Sequence, residues 1–183
     1  SEPGEIAELC RIAGPRIGLI TMIAGAHTAG LGSIEGVAEE KGALYSALPD
    51  LGFAVVPSFD ARAVEQAAAS SAHQVFFGYR EDDDLRIISE EGGLLPSASI
   101  SWQGSKPVKL SLRIPGRHNI RNAASAVALA RLLGISANDS AEALSSFSPV
   151  SGRTQSFKLG HVTVVDDSYN ANPASMTEAL TML

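Results

Sequence analysis

The sequence predicts an α/β protein with a parallel sheet flanked by helices, and two features of its 183 residues support this. Up to Tyr79, short apolar runs of strand length alternate with segments whose apolar residues recur at helical spacing. Such alternation is typical of parallel strands joined by right-handed crossovers. From Leu85 onward apolar and polar residues alternate, which predicts a small antiparallel β meander with one solvent-exposed face.

Glycine, proline and capping residues bound the elements of the first half. Ser33 has the residue type and position of a helix N-cap. The predicted helices cover residues 5–13, 34 to about 48, and 61–71, and the predicted strands cover 17–23, 53–57 and 74–79.

The second half begins with the meander and ends in a β-hairpin. Meander strands are predicted at residues 85–89, 97–102 and 108–114, and helices at 119–133 and 140–147. Residues 149–152 are predicted to be a linker, and residues 157–165 a hairpin with Gly160 in its turn.

Composition and charge exclude several classes of protein. The formal net charge of −6 argues against a nucleic-acid partner, because non-specific binding needs a basic face. No apolar run reaches the length of a membrane span, and the first residues do not resemble a signal peptide. The single cysteine, Cys10, cannot form an internal disulfide, so a cytoplasmic location is expected.

Two candidate site residues follow the first predicted strand. His27 lies in a glycine-containing loop at the strand end, where a neutral imidazole can bind a divalent metal. Histidine is also common in ordinary loops, so both interpretations stay open. Lys41, on the following helix, is by itself typical of a solvated lysine.

Asn119 and Asn122 are three residues apart at the start of the long predicted helix, so they share one face. Two primary amides on one face can bind the donor and acceptor edge of a base such as adenine. The alternative is that one asparagine is the N-cap and the other is solvated, and the pattern favours neither.

Residues 164–176 have the pattern of a buried strand that ends in a polar turn and opens a helix. Ligands of open α/β sheets bind at such strand ends. Asp166 and Asp167 are therefore candidates for binding a ribose hydroxyl or a metal-bound water, or for capping the following helix. Upstream, the guanidinium of Arg153 suits a phosphate, although Gly-Arg in a linker is usually ordinary surface.

Seven motifs occur in one order along the chain. They are Pro3-Gly4-Glu5-Ile6, Ala26-His27, Gly32-Ser33, Lys41-Gly42, the run from Pro115 to Ala123, Gly152-Arg153, and the run from Asp166 to Pro173. Together they resemble the Mur ligases of bacterial cell-wall synthesis over essentially the whole chain. The Asp-Asp-Ser-Tyr-Asn-Ala-Asn-Pro form is similar to the branch that adds D-alanyl-D-alanine to a UDP-N-acetylmuramoyl-tripeptide.

The resemblance implies an ATP-dependent amide ligase that works through an acyl phosphate, uses Mg²⁺ and acts as a monomer on those two substrates. It implies that residues 1–150 are the central ATP-binding domain and residues 151–183 the start of a Rossmann-like C-terminal domain, with a hinge near Gly152. The implied site residues are His27 and a carbamylated Lys41 at the metal, Asn119 and Asn122 at the adenine, and Arg153 and Asp167 at the ATP.

The sequence also departs from the family pattern. It contains no Gly-x-x-Gly-Lys-[Ser/Thr] phosphate loop, so the chain by itself is expected to be inactive. Met22 replaces a usual asparagine, Thr28-Ala29 a common Leu-Glu, and Ala43 a common glutamate. Two alternatives stay open: a related ligase of the folylpolyglutamate or cyanophycin synthetase type, and a divergent, non-catalytic nucleotide-binding module.

Overall fold

The computed structural model describes residues 2–25, 28–149, 151–171 and 173–181. The helices are α1 (Glu5–Ala13), α2 (Thr28–Leu31), α3 (Ile34–Ser46), α4 (Ala61–Ala68), α5 (His118–Leu132), α6 (Ala137–Ser146) and α7 (Pro173–Thr181). The strands are β1 (Ile17–Leu19), β2 (Phe53–Pro57), β3 (His73–Gly78), β4 (Leu85–Glu91), β5 (Ser97–Trp102), β6 (Val108–Ser111), β7 (Gln155–Leu159) and β8 (Val162–Asp166).

Six strands form one sheet in the order β1-β2-β3-β4-β5-β6, and β7 pairs with β8 in a second sheet. The fold is mixed α/β, which confirms the predicted fold class. Contacts between Cα atoms divide the chain into two compact units, residues 1–86 and residues 87–183. None of the described helices has the length and apolar character needed to cross a membrane.

The first unit contains the parallel strands. Leu19 of β1 pairs with Val55 of β2, which in turn pairs with Val75 of β3. Val55 is fully buried, as expected for the central strand of a sheet covered by helices. Tyr45 of α3 is also fully buried, and its hydroxyl donates a 2.7 Å hydrogen bond to the carbonyl oxygen of Val55. Burial raises the pKa of Tyr45, so its hydroxyl stays protonated and remains a donor.

Strand β1 is shorter than predicted because its last residues leave the sheet. The prediction extended to residue 23, but β1 ends at Leu19. The amide of Ile23 donates to a carboxylate oxygen of Asp60 at 2.6 Å instead of to a neighbouring strand. A side chain therefore satisfies the backbone donor at the strand end.

The start of α1 is capped by a residue from another helix. Glu40, on α3, accepts hydrogen bonds of 2.7 Å from the amides of both Gly4 and Ile6. Glu40 is buried, and its two carboxylate oxygens satisfy amides that the first turn of a helix leaves without an intrahelical partner.

A buried polar cluster lies beyond the ends of β2 and β3. Asp83 accepts a 2.7 Å hydrogen bond from the hydroxyl of Ser58 and a 2.9 Å bond from the amide of Arg80, both at Oδ2. Gly78 packs against this cluster so closely that a Cβ there would collide with Ser58 Oγ and lie 2.9 Å from Asp83 Oδ2. Glycine is thus the residue that fits at the end of β3.

Strand β4 begins beside β3 and is parallel to it, with Phe77 paired to Leu85 and Gly78 to Arg86. The alternating sequence pattern did not predict this parallel pairing. Strands β5 and β6 are antiparallel, as predicted, with Ala98 opposite Leu110.

In the second unit, α5 presents a continuous buried face. Ile120, Ala124, Val127 and Ala128 follow helical spacing, and each is fully shielded from solvent. The hairpin of β7 and β8 pairs Phe157 with Val164, which matches the predicted hairpin. The residues predicted to bind the nucleotide lie at the start of α5, in the linker before β7 and just after the end of β8.

Candidate functional site

Lys41 is held at the end of the first strand rather than extended into solvent. Its Nζ donates a 2.7 Å hydrogen bond to the carbonyl oxygen of Met22. Burial lowers the pKa of Lys41, and the negative charge of Asp60 opposes that shift. The side chain is therefore a partly desolvated amine, which differs from the solvated lysine that the sequence alone suggested.

Asp60 organises the same region, and sequence reasoning missed it. Its Oδ1 caps α4 by accepting from the amides of Arg62 and Ala63 at 3.1 and 3.2 Å, while its Oδ2 accepts from Ile23. An aspartate just before an alanine-rich helix is a visible N-cap signal. The contact with Ile23 spans 37 residues and has no local signal.

The predicted metal site is only partly described. His27 lies outside the described residues. Among the residues that are described, no group of at least three His, Cys, Asp or Glu side chains is arranged to hold a metal ion. Lys41 as a free amine donates to Met22, and the carboxylate of Asp60 is engaged by backbone amides.

Asn119 and Asn122 meet at the start of α5, as their spacing predicted. The Nδ2 of Asn122 donates a 3.1 Å hydrogen bond to Oδ1 of Asn119, and the Nδ2 of Asn119 donates at 2.8 Å to the carbonyl oxygen of Pro115. The N-cap of α5 is Arg117. Neither asparagine is therefore the cap, and the contact between the amides fixes which way the Asn119 amide faces.

Arg117 joins the same loop to the meander. Its Nε and Nη2 both donate to Oε2 of Glu90, at 3.2 and 2.9 Å. The Glu90 side chain is 9% exposed, whereas that of Arg117 is 69% exposed. This pair anchors the Pro-Gly-Arg-His loop that precedes α5.

The linker and the end of β8 are fastened together. The Arg153 guanidinium carbon lies 4.0 Å from the centroid of the Tyr169 ring, and the amide of Tyr169 donates to the carbonyl oxygen of Gly152 at 2.9 Å. Asp167 Oδ1 accepts from both the amide and the hydroxyl of Thr154, at 3.0 and 3.2 Å. Arg153 and Asp167 are thus brought onto one local structure.

Asp166 has a different role from Asp167. Its Oδ1 accepts from the amide of Ser168 at 3.1 Å, which closes a tight turn after β8. The helix-capping alternative predicted a bond to the start of α7. The hydrogen bonds of both aspartates go to other segments in the described part of the chain.

A family model identifies the family to which these residues belong. The Mur ligase middle domain matches residues 1–130. The chain belongs to the Mur ligase family. This confirms the family that the motifs predicted.

Curated Mur ligases are similar along nearly the whole chain. The UDP-N-acetylmuramoyl-tripeptide–D-alanyl-D-alanine ligase of Escherichia coli is 31% identical over 98% of this chain and 40% of its own length. The ligase of the same name from Mycobacterium bovis is 33% identical over 98% of this chain and 36% of its own length. This Mur ligase chain therefore spans well under half the length of these relatives.

Solved Mur ligase structures share the fold. A crystal structure of MurF from Acinetobacter baumannii superposes with a TM-score of 0.88 at 29% identity, covering 100% of this chain and 40% of that one. MurF from Thermotoga maritima, in complex with ADP, gives a TM-score of 0.87 at 25% identity over 100% of this chain and 42% of that one. Because both matches cover the whole of this Mur ligase chain, they include the start of α5 and the end of β8.

Proposed function

We propose that this chain is part of an ATP-dependent ligase that adds D-alanyl-D-alanine to a UDP-N-acetylmuramoyl-tripeptide. The observation that carries the proposal is identity of 31–33% to ligases of that name over 98% of the chain. The Asp-Asp-Ser-Tyr-Asn-Ala-Asn-Pro turn supports the same branch. We place the end of the central domain near residue 150 and the start of the C-terminal domain at residue 151.

The proposed reaction joins a carboxylate to an amine in two steps. The tripeptide carboxylate attacks the γ-phosphorus of ATP, which forms an acyl phosphate and releases ADP. The amine of D-alanyl-D-alanine then attacks the acyl carbon, and phosphate leaves as the amide forms. Positioning of the reactants and stabilisation of the phosphoryl charge supply most of the catalysis in such transfers.

The nucleotide end of this proposal rests on the start of α5 and the turn after β8. Hydrogen bonds with Asn122 and Pro115 orient the side-chain amide of Asn119, so the direction of this amide is fixed before adenine binds. Asp167 uses Oδ1 for Thr154, and no described residue donates to its Oδ2, which suits a ribose hydroxyl. Arg153 forms no ion pair in the described part of the chain, so its guanidinium can bind a phosphate.

The metal end of the proposal rests on Lys41 and His27. A partly desolvated amine with a lowered pKa is more often unprotonated, and only the unprotonated amine reacts with CO₂ to give a carbamate. A carbamate presents oxygen atoms, which Mg²⁺ prefers, whereas the amine cannot ligate it while it donates to Met22. Bound Mg²⁺ would neutralise charge on the phosphoryl oxygens. We propose that Lys41 acts in its carbamylated form, with His27 as the second ligand.

The remaining parts of the proposal concern location and assembly. We propose a cytoplasmic, monomeric enzyme that binds no nucleic acid. The isolated chain is proposed to be inactive, since it carries no phosphate loop. Sedimentation of the full-length ligase measures its mass in solution and so tests whether it is a monomer.

The experiment that tests the function is phosphate release by the full-length ligase. We expect release to require ATP, the UDP-linked tripeptide and D-alanyl-D-alanine together. Release with glutamate and a folate instead, or with the amino acids of cyanophycin, would assign one of the related ligases. Nucleotide binding without release under every combination would support the non-catalytic module and contradict the proposal.

A further inference from the structure

We propose that Tyr169 and Thr154 are positioning residues that fix Arg153 to the turn after β8, so that Arg153 and Asp167 act as one preassembled unit. This inference rests on the proposed function, since it assigns a task to the arginine of the linker. Four contacts carry it, and all of them join residues 152–154 to residues 167–169.

The first contact holds the guanidinium itself. Arg153 lies over the face of the Tyr169 ring, within the distance at which a cation is attracted by an aromatic ring. A cation–π contact uses none of the guanidinium N–H groups as hydrogen-bond donors. Those N–H groups are the donors that a phosphate requires, so the stack orients Arg153 without consuming its binding capacity.

The backbone around Arg153 is held in an unusual conformation. Thr154 has a φ of 51°, and Gly152 has a φ of 76°. A β-branched residue in the left-handed region is a genuine outlier and persists only where its surroundings enforce it. Here Asp167 accepts from both the amide and the hydroxyl of Thr154, and the Thr154 side chain is buried.

Gly152, on the other side of Arg153, is also bonded to the turn after β8. Its carbonyl oxygen accepts from the amide of Tyr169, and a Cβ on Gly152 would lie 3.3 Å from that same amide nitrogen. The residues on both sides of Arg153 are thus tied to the turn that carries Asp167. Because the linker is fixed here, rotation of the hairpin would carry Arg153 and Asp167 together.

The test uses the full-length ligase and equilibrium binding of Mg²⁺ with a non-hydrolysable ATP analogue. Replacing Tyr169→Leu removes the ring, and we expect the Kd of the analogue to rise about two- to fivefold, the range of an exposed cation–π contact. The KM for D-alanyl-D-alanine should change less than the KM for ATP. Tyr169→Phe should restore binding, because it keeps the ring.

A matched control and a double variant separate positioning from general damage. Phe157→Leu removes an exposed aromatic ring from the same hairpin and should leave the Kd unchanged. In an Arg153→Ala background, Tyr169→Leu should cause no further loss, since the cation that the ring orients is gone. Thr154→Val, which keeps the branched side chain but loses the hydroxyl, should weaken binding, and Thr154→Ser should not.

Equal Kd values for Tyr169→Leu and the wild type would overturn the proposal, as would an additive loss in the Arg153→Ala background. If Tyr169→Leu fails to fold, the Thr154 pair decides, and equal binding by its two variants would overturn the proposal. A wild-type ligase with no ligation activity that still shows these binding differences would contradict the proposed function alone.

Discussion

The side-chain amine of Lys41 donates a 2.7 Å hydrogen bond to the main-chain carbonyl of Met22. The sequence resemblance gives asparagine as the usual residue at the position of Met22, yet the backbone carbonyl of any residue can accept this bond. The methionine side chain at position 22 therefore does not prevent the hydrogen bond that holds Lys41. The proposed modification would weaken this bond, because a carbamate nitrogen keeps one N–H donor but no longer carries an ammonium charge.

Lys41 is expected to form a carbamate more readily than an exposed lysine. Burial lowers its pKa below the ordinary value of 10.5, so at pH 8 more of its amine is unprotonated and reactive. Carbon-13 NMR in labelled bicarbonate should show a carbamate signal that Lys41→Arg abolishes. A signal that survives in Lys41→Arg and arises from the exposed Lys106 or Lys109 would contradict the expectation.

Replacing Asp60→Asn is expected to destabilise the protein by about 1–3 kcal/mol, because all three backbone amides lose a charged acceptor and at least one of them then faces an NH₂ group. It should also lower the pKa of Lys41 further, since the attraction that opposes the burial effect is removed. Urea unfolding and the pH dependence of Lys41 labelling measure the two effects. Asp50→Asn, at an exposed turn residue, should change neither quantity.

Replacing Asn122→Asp is expected to weaken ATP binding about tenfold, equivalent to roughly 1.4 kcal/mol. The new carboxylate cannot donate to Asn119 Oδ1, so the Asn119 amide loses the contact that fixes its orientation. Calorimetric titration of the full-length ligase with an ATP analogue measures the loss. Asn138→Asp, at an exposed position on α6, is the matched control. Equal losses of ATP affinity in both variants would contradict a role for Asn119 and Asn122 in binding adenine.

Replacing Gly78→Ala is expected to destabilise the protein by about 1–3 kcal/mol, because the new methyl group would collide with Ser58 Oγ. Gly92→Ala adds the same methyl group where nothing lies within 4 Å, so its effect should stay within about 0.5 kcal/mol. Thermal unfolding of the two variants side by side gives the comparison. A stable Gly78→Ala protein would mean that the Ser58–Asp83 cluster can rearrange at little cost.

The sequence predicted the elements well where their signal was local. The periodicity of α1, the Ser33 cap and the Gly160 turn all depend on neighbouring residues, and each is found in the structure. The end of β1 and the parallel start of β4 depend on partners that are distant in the chain or on a neighbouring strand. No pattern in the sequence reports those partners.

The same distinction holds for the site. Asn119 and Asn122 could be paired from their spacing because a helix brings residues three apart together. The bond from Ile23 to Asp60 and the role of Thr154 could not be predicted, because each depends on a contact between segments that approach only in the folded chain. The stack of Arg153 on Tyr169 joins two motifs that the sequence suggested separately.

The capping of α1 by Glu40 has a consequence for how the protein opens and closes locally. The amides of Gly4 and Ile6 are bonded to a residue 36 and 34 positions away, so their protection from hydrogen exchange reports on α3 as well as on α1. An event that frays α3 near Glu40 should release both amides together. Exchange at these two positions is therefore a direct reporter of order in the helix that carries Lys41.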